Sequence, residues 1–169
     1  VRVSIAEEFG GKPGDLSTDQ MMNAFEKLGF KTYDVNSSAD QTIMEEGTEF
    51  VRKVQYWVLG KRGPEFERAA HHPLPSCCPA WVRNAETFNA DFLPHLSTAK
   101  SPIQMGGVLA KVWAPKFLYN TDPRNVKVVA IAPCTAKILE ASRPEMDTAW
   151  RYHIKAGPIP ADTPRFPDV

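Results

Sequence analysis

The chain holds 169 residues, 18.8 kDa, with 43% hydrophobic side chains, which is enough to build the core of one ordinary domain and excludes intrinsic disorder. Lys+Arg 20 against Asp+Glu 20 leaves no net charge and a pI near 7.1, so the balance carries no footprint of a nucleic-acid partner or a basic membrane surface. Three cysteines, two of them adjacent as Cys77 and Cys78, do not make a disulfide framework, and the longest apolar run, Val128 to Pro133, is far short of the roughly 20 residues that span a bilayer.

Val1, Val3 and Ile5 alternate with polar residues and predict an opening strand. Gly10, Gly11, Pro13 and Gly14 then mark a loop. Ser17 followed three residues later by Gln20 has the form of a capping box, so a helix is predicted from there, with Met21, Met22, Ala24, Phe25 and Leu28 as its apolar face and Gly29 as its stop. Phe30 to Val35 reads as a second strand, and this β-α-β order implies a parallel pair with a right-handed crossover. Ala39 to about Leu59 is helical in pattern, with Met44, Phe50, Val51 and Val54 available for burial, and the charged, Pro- and Gly-bearing segment from Gly60 to Pro75 reads as an exposed loop.

Pro79 suits the first position of a helix, where its missing N–H costs nothing, and Trp81, Val82, Ala85 and Phe88 follow at helical spacing. Ser101 and Pro102 repeat that arrangement ahead of Ile103, Met105, Val108, Leu109 and Val112. Val126 to Ala132 is the strongest predicted strand, apolar on both faces apart from Lys127, as a central parallel strand should be. Cys134 lies just past its carboxyl end, and Thr135 to Ala141 begin another helix. The Pro-rich stretch from Lys155 to Val169 reads as a loop. With a strand pattern at its first residue and a loop at its last, the chain is expected to be a partial domain, truncated at both ends. The fold class expected is α/β, parallel sheets flanked by helices, with ligands beyond the carboxyl ends of the strands.

Each thiol sits near a predicted helix start, Cys78 before Pro79 and Cys134 between strand and helix, where the field of a helix N-terminus favours an anion such as a thiolate. The plain alternative is a small buried hydrophobe. A zinc site from His71, His72, Cys77 and Cys78 is disfavoured because vicinal ligands chelate one ion poorly and no C-x₂-C knuckle is present. Nothing local places a histidine base against a cysteine nucleophile. Glu45, Glu46 and Glu49 have a plain reading as carboxylates stabilising a helix N-terminus, and Lys137 as a solvated lysine on the first turn of its helix. Met21, Met22, Met44 and Met105 read as core.

Ser76-Cys77-Cys78-Pro79-Ala80-Trp81 resembles the first signature of the catalytic domain of the iron-only (FeFe) hydrogenases, and Ala132-Pro133-Cys134-Thr135-Ala136-Lys137 resembles the second, in the same order and at matching separation. Flanking blocks agree: Val1-Arg2-Val3 through Glu7-Glu8-Phe9-Gly10, Thr42-Ile43-Met44-Glu45-Glu46-Gly47-Thr48-Glu49, Leu96-Ser97-Thr98-Ala99-Lys100-Ser101-Pro102 and Arg143-Pro144-Glu145-Met146. The resemblance runs over nearly the whole chain.

What it implies is a hydrogenase that interconverts protons and H₂ at an H-cluster, a four-iron four-sulfur cubane joined to a two-iron unit with CO, cyanide and a bridging dithiolate. Cys78 and Cys134 match two of the four cysteines holding the cubane, and Cys77 matches the thiol that passes protons to the dithiolate amine. Glu46, Ser97 and Glu49 match the next members of a proton path, Lys137 the lysine that hydrogen-bonds a cyanide, and Ser101 and Pro102 residues lining the same cavity. A buried anionic cluster needs a cationic donor, and proton delivery needs alternating acid and hydroxyl groups. The implied partners are a ferredoxin-like electron donor or acceptor, with accessory iron-sulfur clusters as the alternative electron source, and maturation proteins for the two-iron unit; the compartment expected is the cytoplasm, with periplasm or hydrogenosome as alternatives. The departures are a third signature expected downstream of Val169, Ala132 where the family usually has Met, a long Gln55 to His72 loop and Pro75 for Thr. The rival reading is a non-catalytic iron-sulfur carrier or H₂-sensing relative on the same fold. Retention of Cys77 argues against it, since the resemblance implies replacement of that thiol in assembly and sensory forms.

Overall fold

The structure, a computed structural model, describes residues 1–66 and 72–169. It divides into two compact units, residues 1–34 with 131–135, and residues 35–130 with 136–169. In the first unit α1 (Arg2–Glu8) replaces the predicted opening strand. A short period-2 pattern is ambiguous, and here Gly11 N donates to Ala6 O, Gly14 N to Val3 O and Arg2 Nη1 to Leu16 O, folding the glycine loop back on a helical turn. The capping box forms as read: Gln20 N donates to Ser17 Oγ and Ser17 N to Gln20 Oε1, opening α2 (Thr18–Lys27). Gly29, at φ 93°, takes the left-handed conformation that ends the helix.

The second unit is built on α3 (Asn36–Trp57) packed against α5 (Pro102–Val112), with α4 (Pro79–Phe88), α6 (Ala136–Ala141) and α7 (Thr148–Ala156) around them. The inward stripe of α3 is polar: Ser38, Thr42 and Lys53 are buried, and Glu46 and Glu49 lie half-buried on the same face. Met44, Phe50 and Val51, expected in the core, are exposed on the other side. Thr42 explains part of the inversion, since its Oγ1 donates to Ser38 O and to Lys100 O and so ties α3 to the residue ahead of α5. The helix begins at Asn36, so Glu45, Glu46 and Glu49 stand in mid-helix and the helix-end reading of them is corrected.

The expected parallel sheet is also corrected. Among the described residues the only β pairing is an isolated parallel bridge between Leu74 and Leu96, closed by Leu74 N to His95 O and Ser97 N to Leu74 O. Neither Phe30 to Val35 nor Val126 to Ala132 is a strand, and Val129 and Ile131 are exposed. A strand is stabilised by cross-strand pairs, and no neighbouring ladder receives either segment. The part of the Gly60 to Pro75 loop that includes His71 lies outside the described residues; a short 3₁₀ turn, Pro64–Phe66, precedes it.

The tail from Gly157 is irregular, as read, but it is anchored. Ile159, Thr163 and Asp168 are buried, Trp150 Nε1 donates to Thr163 O, and Lys111 Nζ donates to Pro167 O at 2.5 Å. Gly107 on α5 makes room for the tail: a Cβ there would stand 2.5 Å from Asp168 O. Gly107→Ala is therefore expected to destabilise the protein by about 1–3 kcal/mol, because the contact is with pinned backbone. Gly47→Ala on α3, where a Cβ meets nothing within 4 Å, is expected to stabilise it by about 0.5–1 kcal/mol. Urea midpoints of the two variants moving in the same direction would contradict this.

Candidate functional site

The second unit brings several of the singled-out side chains into two linked groups. Cys78 is the N-cap of α4, with Pro79 at the first helical position as the sequence predicts, and its exposed thiol makes no capping bond. The half-buried Cys77 precedes it. Its carbonyl accepts from Lys137 Nζ at 2.5 Å, and the same ammonium lies 3.0 Å from Glu140 Oε2, one turn along α6. Ser101, the N-cap of α5 ahead of Pro102, donates its hydroxyl to that same Glu140 oxygen at 3.0 Å. Glu140 is 5% exposed. One carboxylate oxygen thus joins the lysine, the serine and, through the lysine, the backbone of Cys77.

The second group lies on the inward face of α3. Glu49 Oε1 accepts from Thr98 N at 2.9 Å and from Thr98 Oγ1. Burial pushes the Glu49 carboxyl upward, but hydrogen bonds from Thr98 and Ser97 and the charge of Lys53 outweigh it and hold the group below the usual carboxylate range. Ser97 Oγ also accepts from Ala99 N, and Ser76 Oγ donates to Ala99 O, so the 97–101 segment is fastened beside the Cys77 strand of chain. Glu46, one turn earlier on α3, has a buried Oε1 with no hydrogen-bond partner among the described residues. A cavity of about 370 Å³ lies beside α4 and α6, lined by Ser76, Pro79, Ser97, Ser101, Glu140 and Arg143 among others. Arg143 bridges Glu86 of α4 and Glu145 across it.

Ala132 and Cys134 belong to the first unit, in an irregular and exposed segment. Among the described residues no cluster of three or more His, Cys, Asp or Glu side chains is arranged to hold a metal ion, and no helix is long and apolar enough to cross a membrane. The donor chemistry nevertheless suits an iron-sulfur group. Cys78 and Cys134 are free, accessible thiols, and the part-buried Lys137 ammonium offers a cation to an anionic ligand. Sequence reading missed Thr98 and Glu140. Glu140 carried a signal, its i,i+3 spacing from Lys137 on a predicted helix, whereas Thr98 meets Glu49 only through the tertiary fold.

Thr98→Val is expected to raise the Glu49 carboxyl and to cost about 1 kcal/mol of stability at neutral pH. The sign follows from a carboxyl depressed in the folded state: its stabilisation is present above the unfolded carboxylate range and is lost as pH falls through the folded value. The gap between wild type and variant should therefore narrow on acidification. Urea denaturation at neutral and acid pH measures it, and a pH-independent gap would show that Glu49 is not held this way.

Residues 1–155 match the family model described as iron only hydrogenase large subunit, C-terminal domain. The chain is 40% identical over 160 residues to the periplasmic [Fe] hydrogenase large subunit of Nitratidesulfovibrio vulgaris, covering 92% of this chain and 35% of that one. It is 35% identical to cytosolic iron-sulfur assembly component 3 of Pongo abelii, covering 85% of this chain and 29% of the relative. A solved structure of the FeFe-hydrogenase HydA1 from Chlamydomonas reinhardtii superposes with a TM-score of 0.74 at 32% identity, over 86% of this chain and 34% of that one. The chain thus spans about a third of the length of these relatives, and the family match and the shared fold agree: it belongs to the iron-only hydrogenase large subunit family, as part of the C-terminal domain.

Proposed function

We propose that this chain is part of a hydrogenase that interconverts two protons and two electrons with H₂ at an H-cluster. The observation that carries the reading is the site in which the Lys137 ammonium lies against Cys77, sharing Glu140 with Ser101, while Glu49 is held by Thr98 and Ser97. Cys78 and Cys134 would supply two of the cubane's thiolate ligands. When bound, the cluster supplies the electrons and the iron at which H₂ forms or splits.

The protein's part is to hold and move protons. Cys77 is a small, half-buried thiol beside a ligand cysteine, placed to hand on a proton. Glu46 keeps a carboxylate oxygen buried without a partner, the state expected of a group that trades one proton for another. Ser97 can both donate and accept, and Glu49, kept ionised by its donors, is a proton acceptor on the outer side. Lys137 orients an anionic ligand, with Ser101 and Pro102 at the start of α5 beside it. Ala132 stands in the exposed segment before Cys134, at the position where the resemblance implies a Met beside the two-iron unit. The electron partner is a ferredoxin-like protein, and maturation proteins deliver the two-iron unit.

The likeness to an iron-sulfur assembly component favours one second reading, an iron-sulfur carrier on the same fold. The full-length protein, co-expressed with maturation proteins, separates the two. Infrared bands of CO and cyanide with H₂ release from a reduced viologen are expected, and Glu46→Gln should slow turnover while leaving the bands in place, since an amide cannot relay a proton as a carboxylate does. Iron-sulfur loading with neither bands nor turnover would establish the carrier.

A further inference from the structure

Lys137 has no reason of its own to stand where it does. A lysine carries a flexible four-carbon stem, and an ammonium taken from water needs a compensating charge. Its side chain is 18% exposed, and that of Glu140 is 6% exposed. The pair is thus largely removed from solvent. Glu140 Oε2 also accepts from Ser101 Oγ at 3.0 Å, and Ser101 is 1% exposed. Two donors, one from the N-cap of α5 and one from α6, therefore converge on one oxygen. Behind them Arg143, two residues past α6, bridges to Glu86 on α4, the helix whose N-cap is Cys78.

We infer that Glu140 is a positioning residue: its buried carboxylate oxygen, itself fixed by the Ser101 hydroxyl, binds the Lys137 ammonium and sets that donor toward the anionic ligands of the bound cluster. The inference rests on the hydrogenase reading above. It gives Glu140 a charge-compensating task as well, because a part-buried ammonium that waits for an anionic ligand would otherwise be unpaired. Partners that orient a residue touching a metal group typically matter about 10–100-fold in affinity or activity when removed.

The test has one arm without the cluster and one with it. In the full-length apoprotein, lysines are labelled with a limiting acylating reagent and counted by mass spectrometry. Lys137 is expected to react much more slowly than the exposed Lys61 and Lys155, and Glu140→Gln, an isosteric change that removes the charge, is expected to speed it up. In the matured holoprotein the same variant should shift the cyanide stretching bands and lose about 10–100-fold in turnover, while Glu140→Asp, which keeps the charge, recovers part of both. Lys137 labelling as fast as Lys61 in the unaltered protein overturns the inference without any variant. Faster labelling in Glu140→Gln with unmoved cyanide bands also overturns it, since the lysine would be held but not aimed. Absence of CO and cyanide bands from the unaltered matured protein would instead bring down the hydrogenase reading, and this inference with it.

Discussion

Cys78→Ser is expected to strip the four-iron cluster from the matured full-length protein, whereas Cys77→Ser keeps the cluster and loses about 10²–10⁴-fold in H₂ turnover. The two residues are neighbours in sequence but not in circumstance. Cys78 stands at the N-cap of α4 with an exposed thiol that makes no capping bond, so a metal can reach it. Cys77 is half-buried, and its carbonyl is fixed by Lys137, so its backbone is held in place independently of any metal ligation. Serine nearly matches cysteine in size and conserves packing, but its hydroxyl ionises far less readily and is a poor ligand for iron in a cubane. It is equally poor at giving up a proton. Iron and acid-labile sulfide content should fall in Cys78→Ser alone, and turnover should fall in both. Equal iron loss in the two variants would mean that Cys77 is a ligand, or that the pair folds as one structural unit, and the division between proton carrier and ligand would be abandoned.

The parts of this fold that were legible in the sequence are the ones decided locally. The starts of α2 and α5 follow from Ser17 with Gln20 and from Ser101 with Pro102, because a cap bonds within three residues of itself, and that of α4 from Pro79, whose fixed φ and missing N–H suit the first helical position. The parallel sheet was read from apolar runs, and an apolar run becomes a strand only where a ladder receives it. The face of α3 was inverted for a related reason. Periodicity sorts apolar from polar, but this helix turns Ser38, Thr42, Glu46, Glu49 and Lys53 inward, as a helix lining a polar site must. The resemblance named Cys77, Lys137 and Ser101, and the second unit does bring them together; Glu140 had only its i,i+3 spacing from Lys137 as a signal, and the partnerships of Glu49 with Thr98 and of Glu140 with Ser101 span 49 and 39 residues of sequence.

Helix α7 was not predicted at all, and its missing signal leads to the largest expected loss of stability. Asp147 stands at its N-cap but makes no capping bond. The first amides are satisfied instead by a residue 20 positions on: Asp168 Oδ2 accepts from Thr148 N at 3.0 Å and Oδ1 from Ala149 N at 2.8 Å. The same Oδ2 pairs with Lys100 Nζ at 2.6 Å, and the aspartate is fully buried. Asp168→Ala would leave two helix-end amides without acceptors and a lysine without its counter-charge, and the expected loss is about 3–5 kcal/mol. Asp168→Asn should recover little. Its carbonyl oxygen can replace one carboxylate oxygen only, its amide N–H group then faces the donor or donors at the other, and the charge opposite Lys100 is lost either way. Urea denaturation measures both variants, with Asp122→Ala at the exposed Asp122–Arg124 pair as the comparison expected to lose far less. A small loss in Asp168→Ala would mean that the tail is dispensable to the unit. The consequence reaches the site as well, because Lys100 stands between Ala99 and Ser101 and its carbonyl is held by Thr42 of α3. Releasing its ammonium removes one of the fastenings of the 97–101 segment, so Glu49 should lose part of its hold from Ser97 and Thr98, and its carboxyl should rise in Asp168→Ala even under conditions where the protein remains folded.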